Sequence, residues 1–361
     1  MGIDLFVPKL PTVTEITPLL LEIDIARIYS NFGPKVLELH KVLAQYFGVS
    51  EANVTTLSNA TLALEGAIQT SKSTATKWIS PSWTFAATNL ALERSGANYT
   101  LGDIDEQWRL KGYEGYSNIL DVCPFGDGLA LDRFTTFQGT LLIDAAASFP
   151  ALKECGEAIL KETRDIGVIV SFHPTKIVPG IEGGVFISNN KSWVDSIRQW
   201  SQFGMSKGSR NSSLAGTNAK MNEYQAAVIL ASIEKFKTLE IEWKKIHHTA
   251  KLITSNLGLT VHPAMNFNKL STYWIVRSEP DFIEYIEQNS PKFGFETRRW
   301  WEFGCHKMAF SQKKGHVTLP ITDLIARSSI GLPFHLYMTD ENFKEIEVGL
   351  LLMQKSFFER R

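Results

Sequence analysis

The chain has 361 residues, 44% of them hydrophobic and 21% charged, and its 37 Lys+Arg against 38 Asp+Glu leave a formal net charge of -1. That balance excludes the broad positive field on which non-specific nucleic-acid binding depends. The apolar fraction excludes a disordered chain, and the length favours two lobes over one. The three cysteines, Cys123, Cys155 and Cys305, are odd in number and far apart, so no disulfide framework or zinc knuckle is written in them. They read as inert thiols of a reducing cytoplasm. Met1–Pro11 carries Asp4, Lys9 and prolines instead of a basic head and an apolar run, and no stretch approaches the ~18 apolar residues of a membrane span. The expectation is a soluble, cytoplasmic protein with no nucleic acid, metal or membrane among its partners.

In chain order, Val36–Phe47 predicts an amphipathic helix, with Val36, Leu39, Leu43 and Phe47 at helical spacing. Asn53–Leu57 is a β-prone run, and Ser58 and Asn59 are cap-type residues ahead of a helix over Thr61–Gln69. Lys77–Ser80 predicts a strand, Pro81–Arg94 a helix ending near Gly96, and Asn98–Leu101 a third strand. Thr140–Ile143 predicts an apolar strand stopped by Asp144. Ile166–Ser171 and Gly184–Ser188 predict two more, and Lys191–Phe203 a helix. Strands alternating with helices predict an α/β layer architecture with a mostly parallel sheet. Met221–Asn256, a long helical stretch stopping at Gly258, then changes the pattern. Beyond it lie a strand over Thr272–Arg277, a helix over Asp281–Gln288 and an amphipathic helix over Asp340–Phe358. A boundary inside the long helix divides the chain into lobes of residues 1–232 and 233–361.

Three constellations bear on chemistry. Ser58–Asn59–Ala60–Thr61 lies between a strand and a helix, where unpaired N–H groups stabilise a phosphate; it is equally readable as a capped helix. Asp144 follows an apolar strand and precedes Ala145–Ala146–Ala147. A carboxylate there can approach a cationic ring nitrogen, or it can simply cap a loop. Ser171–Phe172–His173–Pro174–Thr175–Lys176, continuing to Glu182–Gly183–Gly184, sets a lysine after a buried strand. That suits a Schiff-base amine, against the alternative of a solvated loop lysine. His247–His248, among lysines, reads as a solvated helix face, and His173 has no partners at metal-ligand spacing. Trp300–Trp301–Phe303 reads as a sugar site or as core.

The order of these pieces resembles the DegT/StrS-type family of nucleotide-sugar aminotransferases, which use pyridoxal 5'-phosphate. Tyr29–Ser30–Asn31–Phe32–Gly33–Pro34 is similar to the family's opening segment, and Val54–Leu64 to its Ser-Asn-Gly-Thr stretch. Pro81–Ser82–Trp83–Thr84–Phe85, Asp103–Ile104–Asp105 and Asp144–Ala145–Ala146 match further motifs. Ser171–Lys176 with Glu182–Gly184 is the most specific match. Gly216–Glu223 with Gln225–Ala227 closes the set, and Arg298–Arg299–Trp300 matches more loosely. The resemblance implies the type I aminotransferase fold: a large domain with a mostly parallel mixed sheet flanked by helices, plus a smaller α+β C-terminal domain. It implies that Lys176 carries the cofactor covalently, Asp144 pairs with the pyridine nitrogen and Phe85 stacks on the ring. Ala60, Thr61 and Ser171 would hold the phosphate, and Asn218, with Lys220, a phosphate in the neighbouring subunit, so that a homodimer shares its active sites.

The implied reaction moves an amino group from an amino acid, L-glutamate by analogy, to the keto carbon of a nucleotide-linked ketodeoxysugar for polysaccharide or glycoconjugate biosynthesis. The wording of Ser171–His173 and Gly180–Gly184 looks most like C4-specific members, with C3 as the alternative. Other readings are a sugar dehydratase of the same fold, which Lys176 opposes because that branch carries histidine there, and a non-catalytic ligand-binding homologue. Asn31, His173 and Trp300 are candidates for the acceptor pocket. Three departures stand out. Ala147 replaces the family's Gln or His, with Ser148 or water as a substitute. Ala60 replaces a Gly, which a helical backbone tolerates and a positive φ would not. The stretch from Asp105 to Asp144 runs short.

Overall fold

The computed structural model describes residues 2–71, 76–206, 208–312 and 317–359. Seven strands, β1 (Val54–Leu57), β2 (Trp78–Pro81), β3 (Tyr99–Gly102), β4 (Asn118–Val122), β5 (Thr140–Asp144), β6 (Ile166–Ser171) and β7 (Gly184–Ser188), form one sheet. Its order is β1–β7–β6–β5–β4–β2–β3. β7 is antiparallel to both neighbours and every other pair is parallel. The carboxyl ends of β1, β2, β5 and β6 therefore share one edge of the sheet, the edge at which open α/β sheets bind ligands. The period of two sorts each strand between two buried faces. Ile143, Val168, Val170 and Val185 enter one core; Leu142, Ile169 and Phe186 enter the other.

A 34-residue helix, Glu223–Asn256, leads out of this layer. Its start is fixed by a capping box between Asn222 and Gln225. A second, antiparallel sheet follows, β8 (Thr260–Val261), β9 (Trp274–Arg277) and β10 (Ser329–Leu332), with β9 central. Two features tie it to the rest. The N-terminal segment runs beside it: Ile3 bridges Phe295, and the Phe334 N–H donates to the Leu5 carbonyl at 3.0 Å. Asp103, just past β3, caps the helix Pro320–Ser328 by accepting from the Ile321 and Thr322 N–H groups at 3.1 and 2.8 Å. Among the described residues no helix is long and apolar enough to cross a membrane.

The expected elements are present with shifted ends, and four findings depart from expectation. Pro81 closes β2, and the helix expected from Pro81 starts at Ala86. Proline fits a strand end, where its missing N–H costs nothing, and Ser82–Thr84 bends, the Thr84 N–H donating to the Ser82 carbonyl at 3.0 Å, before the helix begins. Val13–Ala26 is helical although Pro18 lies inside it, because a capping box between Thr12 and Glu15 starts the helix. Asn118–Val122 supplies β4 in the stretch that reads as thin. His247 does not belong to a solvated face: it is buried, and its Nε2 accepts from the Ser271 N–H at 3.0 Å. His248 is the exposed one of the pair.

Candidate active site

Four strand ends and one small-sheet residue converge at the shared edge. β1 ends at Leu57, and Asn59 caps the helix Ala60–Thr70, its Oδ1 accepting from the Leu62 N–H at 2.8 Å. The first-turn N–H groups of that helix, Ala60 and Thr61 among them, have no intrahelical acceptors and carry the positive end of the helix dipole. Ala60 is helical and absent from the positive-φ residues, so its methyl is tolerated where the family has glycine. Gly184, opening β7, packs against this turn so closely that a Cβ would lie 2.6 Å from the Ala60 nitrogen. Ser171, buried at the end of β6, accepts from the His173 N–H at 3.2 Å.

Asp144 ends β5 and is buried. One oxygen accepts from the Thr88 hydroxyl at 2.7 Å and the other from the Ala146 N–H at 3.0 Å. Thr88 in turn bonds the Thr84 hydroxyl at 2.7 Å. Burial pushes the Asp144 carboxyl above its ordinary range; the Thr88 hydroxyl, the Ala146 N–H and the Lys176 charge pull the other way. Among the described residues no side-chain cation lies within 4.0 Å of it. A buried carboxylate of this kind is an electrostatic seat for a cation. Phe85, next after Thr84, is 63% exposed on an otherwise buried loop.

Lys176 lies half-buried on the loop after β6, and its Nζ donates to the Tyr273 hydroxyl at 3.2 Å. His173 is exposed and bonds Thr175 through Nδ1 at 2.9 Å. Asn218 is exposed on a segment that pairs with the end of β1, where Lys220 bridges Leu57. Its Oδ1 accepts from Lys220 Nζ at 2.6 Å, and burial pulls Lys220 below the ordinary lysine value. Asn31 is exposed in a left-handed conformation, φ 65°. Trp301 stacks on Phe125 at 3.8 Å and is core, while Phe303 is exposed. Trp300 packs edge-on against Tyr273 at 4.9 Å. Ser148 is fully buried, and its hydroxyl has no partner among the described residues. All three cysteines are free, and burial pushes Cys123 and Cys305 up to about 11 and Cys155 to about 12, so each stays a thiol at neutral pH.

Two of these residues are not among those the sequence reading singles out. Thr88 could have been found, since it sits one helical turn beyond Thr84 of the Pro-Ser-Trp-Thr-Phe segment. Tyr273 carried no local signal, because only the fold brings it to Lys176.

The model of the DegT/DnrJ/EryC1/StrS aminotransferase family matches residues 13–112 and 136–350, and the chain belongs to that family. It is an aminotransferase, and its cofactor is pyridoxal phosphate. The unmatched residues 113–135 fall within the stretch that runs short before Asp144. Protein Rv3402c of Mycobacterium tuberculosis is 23% identical over 94% of this chain and 87% of its own length. The dTDP-4-amino-4,6-dideoxy-D-glucose transaminase of Shigella dysenteriae is 28% identical over 64% of each chain. Among solved structures, DesI, determined in the presence of its TDP-sugar product, superposes with a TM-score of 0.84 at 24% identity, covering 100% of this chain and 96% of the other. The residues at the sheet edge fit the cofactor's three chemical handles. The Gly184 cradle leaves the Ala60–Thr61 N–H groups open to a phosphate, Asp144 suits a protonated ring nitrogen, and the Lys176 amine suits an aldehyde.

Proposed function

We propose that this aminotransferase moves an amino group from L-glutamate to the C4 keto carbon of a nucleotide-linked ketodeoxysugar. The observation that carries the reading is the buried Asp144 carboxylate at the end of β5, whose charge is lowered in cost by Lys176 on the loop after the adjacent β6. The name of the Shigella relative, a 4-amino-4,6-dideoxy-sugar transaminase, favours a nucleotide-sugar acceptor aminated at C4. When bound, pyridoxal phosphate supplies an electron sink that acidifies the Cα–H of the amino donor. Lys176, once free of the cofactor, moves that proton from the donor's Cα as a positioned general base. Asp144 holds the proton on the ring nitrogen, and Thr88 fixes the carboxylate that does so. Phe85 covers one face of the ring. Ala60, Thr61 and Ser171 bind the phosphate, and Asn218 reaches the phosphate of a second copy in a homodimer. The lobes 1–232 and 233–361 enclose the site, and Asn31, His173 and Trp300 face the acceptor.

The test begins with borohydride reduction of the cofactor-loaded protein and mass mapping of its peptides. The reduced cofactor is expected on Lys176, and Lys176→Ala is expected to abolish it. Glutamate is expected to shift the cofactor's absorbance, and a 4-ketosugar linked to dTDP, UDP or GDP to restore it. Cofactor mass on another lysine refutes the lysine assignment. A spectrum unmoved by glutamate refutes the donor.

A further inference from the structure

We propose that Tyr273 is a positioning residue for Lys176, a phenol presented by the second sheet that docks the lysine amine whenever it is released from the cofactor. This rests on the reading of Lys176 as the reactive amine. Three sets of contacts carry it. First, the Lys176 ammonium donates to the Tyr273 hydroxyl at 3.2 Å and lies 5.7 Å from the centre of the same ring. Second, the preceding residue grips the same loop: the Thr272 hydroxyl donates to the Thr175 carbonyl at 2.9 Å. Two successive residues of one segment thus hold two successive residues of the other.

Third, the phenol is held rigidly. Its ring sits between Phe125 and Trp300, edge-on to both at 5.3 and 4.9 Å. Its own N–H donates to the Ser271 hydroxyl at 3.1 Å, and that hydroxyl donates to the Phe125 carbonyl at 2.5 Å. Its carbonyl accepts from His262 Nε2 at 2.9 Å. Tyr273 is 8% exposed. A side chain fixed by packing and by hydrogen bonds on both backbone sides is pre-organised, which is what a group holding a reactive amine requires. Ala147, partly buried, packs against the same aromatic cluster.

The charged and titratable groups facing Lys176 are Asp144 at the end of β5, His173 on its own loop, Lys9 on the N-terminal segment across a small shared pocket, and Tyr273 itself. Asp144 sits on the cofactor side under the proposed assignment, so the phenol is the neutral partner left to the free amine. A hydrogen bond to the charged form favours that form. Removing the hydroxyl should therefore loosen the amine and leave it freer to react.

The experiment is competitive labelling of Lys176 by acetic anhydride at one near-neutral pH in the cofactor-free full chain, read by peptide mass spectrometry. Tyr273→Phe keeps the ring and removes the hydroxyl. It is expected to label several-fold faster at Lys176, with the other lysines as internal references. Site-specific 3-fluorotyrosine at 273 preserves shape while weakening the neutral oxygen as an acceptor, and is expected to raise the labelling rate by less. A purely packing role moves neither. Borohydride mapping on the same proteins separates the two readings. Cofactor absent from Lys176 in the unaltered protein overturns the lysine assignment. Cofactor on Lys176 in every protein, with the labelling rate unmoved by both changes, overturns the role of Tyr273 alone.

Discussion

Gly184→Ala tests the proposed phosphate cradle most directly. A Cβ at 184 would stand 2.6 Å from the Ala60 nitrogen and 2.6 Å from both the carbonyl carbon and the oxygen of Asn59. All three are backbone atoms, so no side chain can swing away. Ordinary contact begins at 3.4 Å, and the helix end and β7 must therefore part by ~0.8 Å. Neither is free to move. Gly184 pairs with Leu57 on one side and Ser171 on the other, and Asn59 is fixed by its cap on Leu62. Overpacking of this kind costs about 1–3 kcal/mol. The same shift carries the Ala60 and Thr61 N–H groups off a bound phosphate, and losing one hydrogen bond to a charged group costs about 1.5–3 kcal/mol, or roughly 10- to 100-fold in affinity. The assay is a melting curve paired with a cofactor titration followed by absorbance. Gly183→Ala is the control. Its Cβ would meet the Ile229 and Met221 side-chain tips at 2.7 and 3.0 Å, away from the helix end, so it should lower stability and leave cofactor affinity unchanged. If Gly184→Ala binds the cofactor as tightly as the parent, the phosphate does not sit at this helix end.

Asp144→Asn should separate stability from turnover. Burial raises the carboxyl's pKa in the folded chain. The folded state then holds this proton more tightly than the unfolded one, and the cost of the buried charge is absent below the unfolded value and full above the folded value. At neutral pH the cofactor-free variant should equal or exceed the parent in stability, by about 1 kcal/mol, while transamination falls roughly 100-fold or more. Parallel losses of both would refute the assignment. His40, His247 and His262 predict acid lability, because burial holds each near 4. Their stability contribution is full above the unfolded value of about 6.5 and is lost as pH falls toward the folded one; at about pH 5 the loss is about 2 kcal/mol each. Melting temperatures recorded from about pH 7.5 to about pH 5 should fall steeply, and a shift under about 2 °C would refute this.

The parts of the fold that could be read in advance are those in which a local rule and the tertiary outcome agree. The apolar runs at Thr140–Ile143, Ile166–Ser171 and Gly184–Ser188 are strands buried on both faces, and nothing else in such runs competes with that outcome. Asn59 announces its helix because capping is a contact between neighbours. Pro81 misleads because proline is as acceptable at a strand end as at a helix start, and only the Trp78–Tyr99 register decides between them. His247 misleads because Lys244 and Lys245 beside it stay exposed, while the partner it meets in the core, Ser271, lies 24 residues away. Tyr273 is the extreme case, 97 residues from Lys176 and brought to it, just ahead of β9, by the tertiary fold alone. Motif order thus exposes residues that answer to a shared chemical need, and conceals those that serve the motif from a distance.

The net charge of -1 sharpens what the site must do by itself. With no global field to gather a polyanion, attraction has to come from local sources, and these sources also set direction. Under the proposed assignment the positive pole is the N-terminus of Ala60–Thr70, worth about half an elementary charge. Lys220 lies next to it through its bridge to Leu57. The negative pole is Asp144, at the end of another strand of the same sheet. A ligand with phosphate at one end and a protonated ring nitrogen at the other is stabilised by both poles in one orientation. Reversed, it would press phosphate against a buried carboxylate that already carries a desolvation cost, and would leave the helix end facing a cation. The sheet edge therefore selects the orientation by electrostatics before any covalent bond forms. Lys176 then needs only to be held within reach of the aldehyde, and that is the task the geometry assigns to Thr272 and Tyr273.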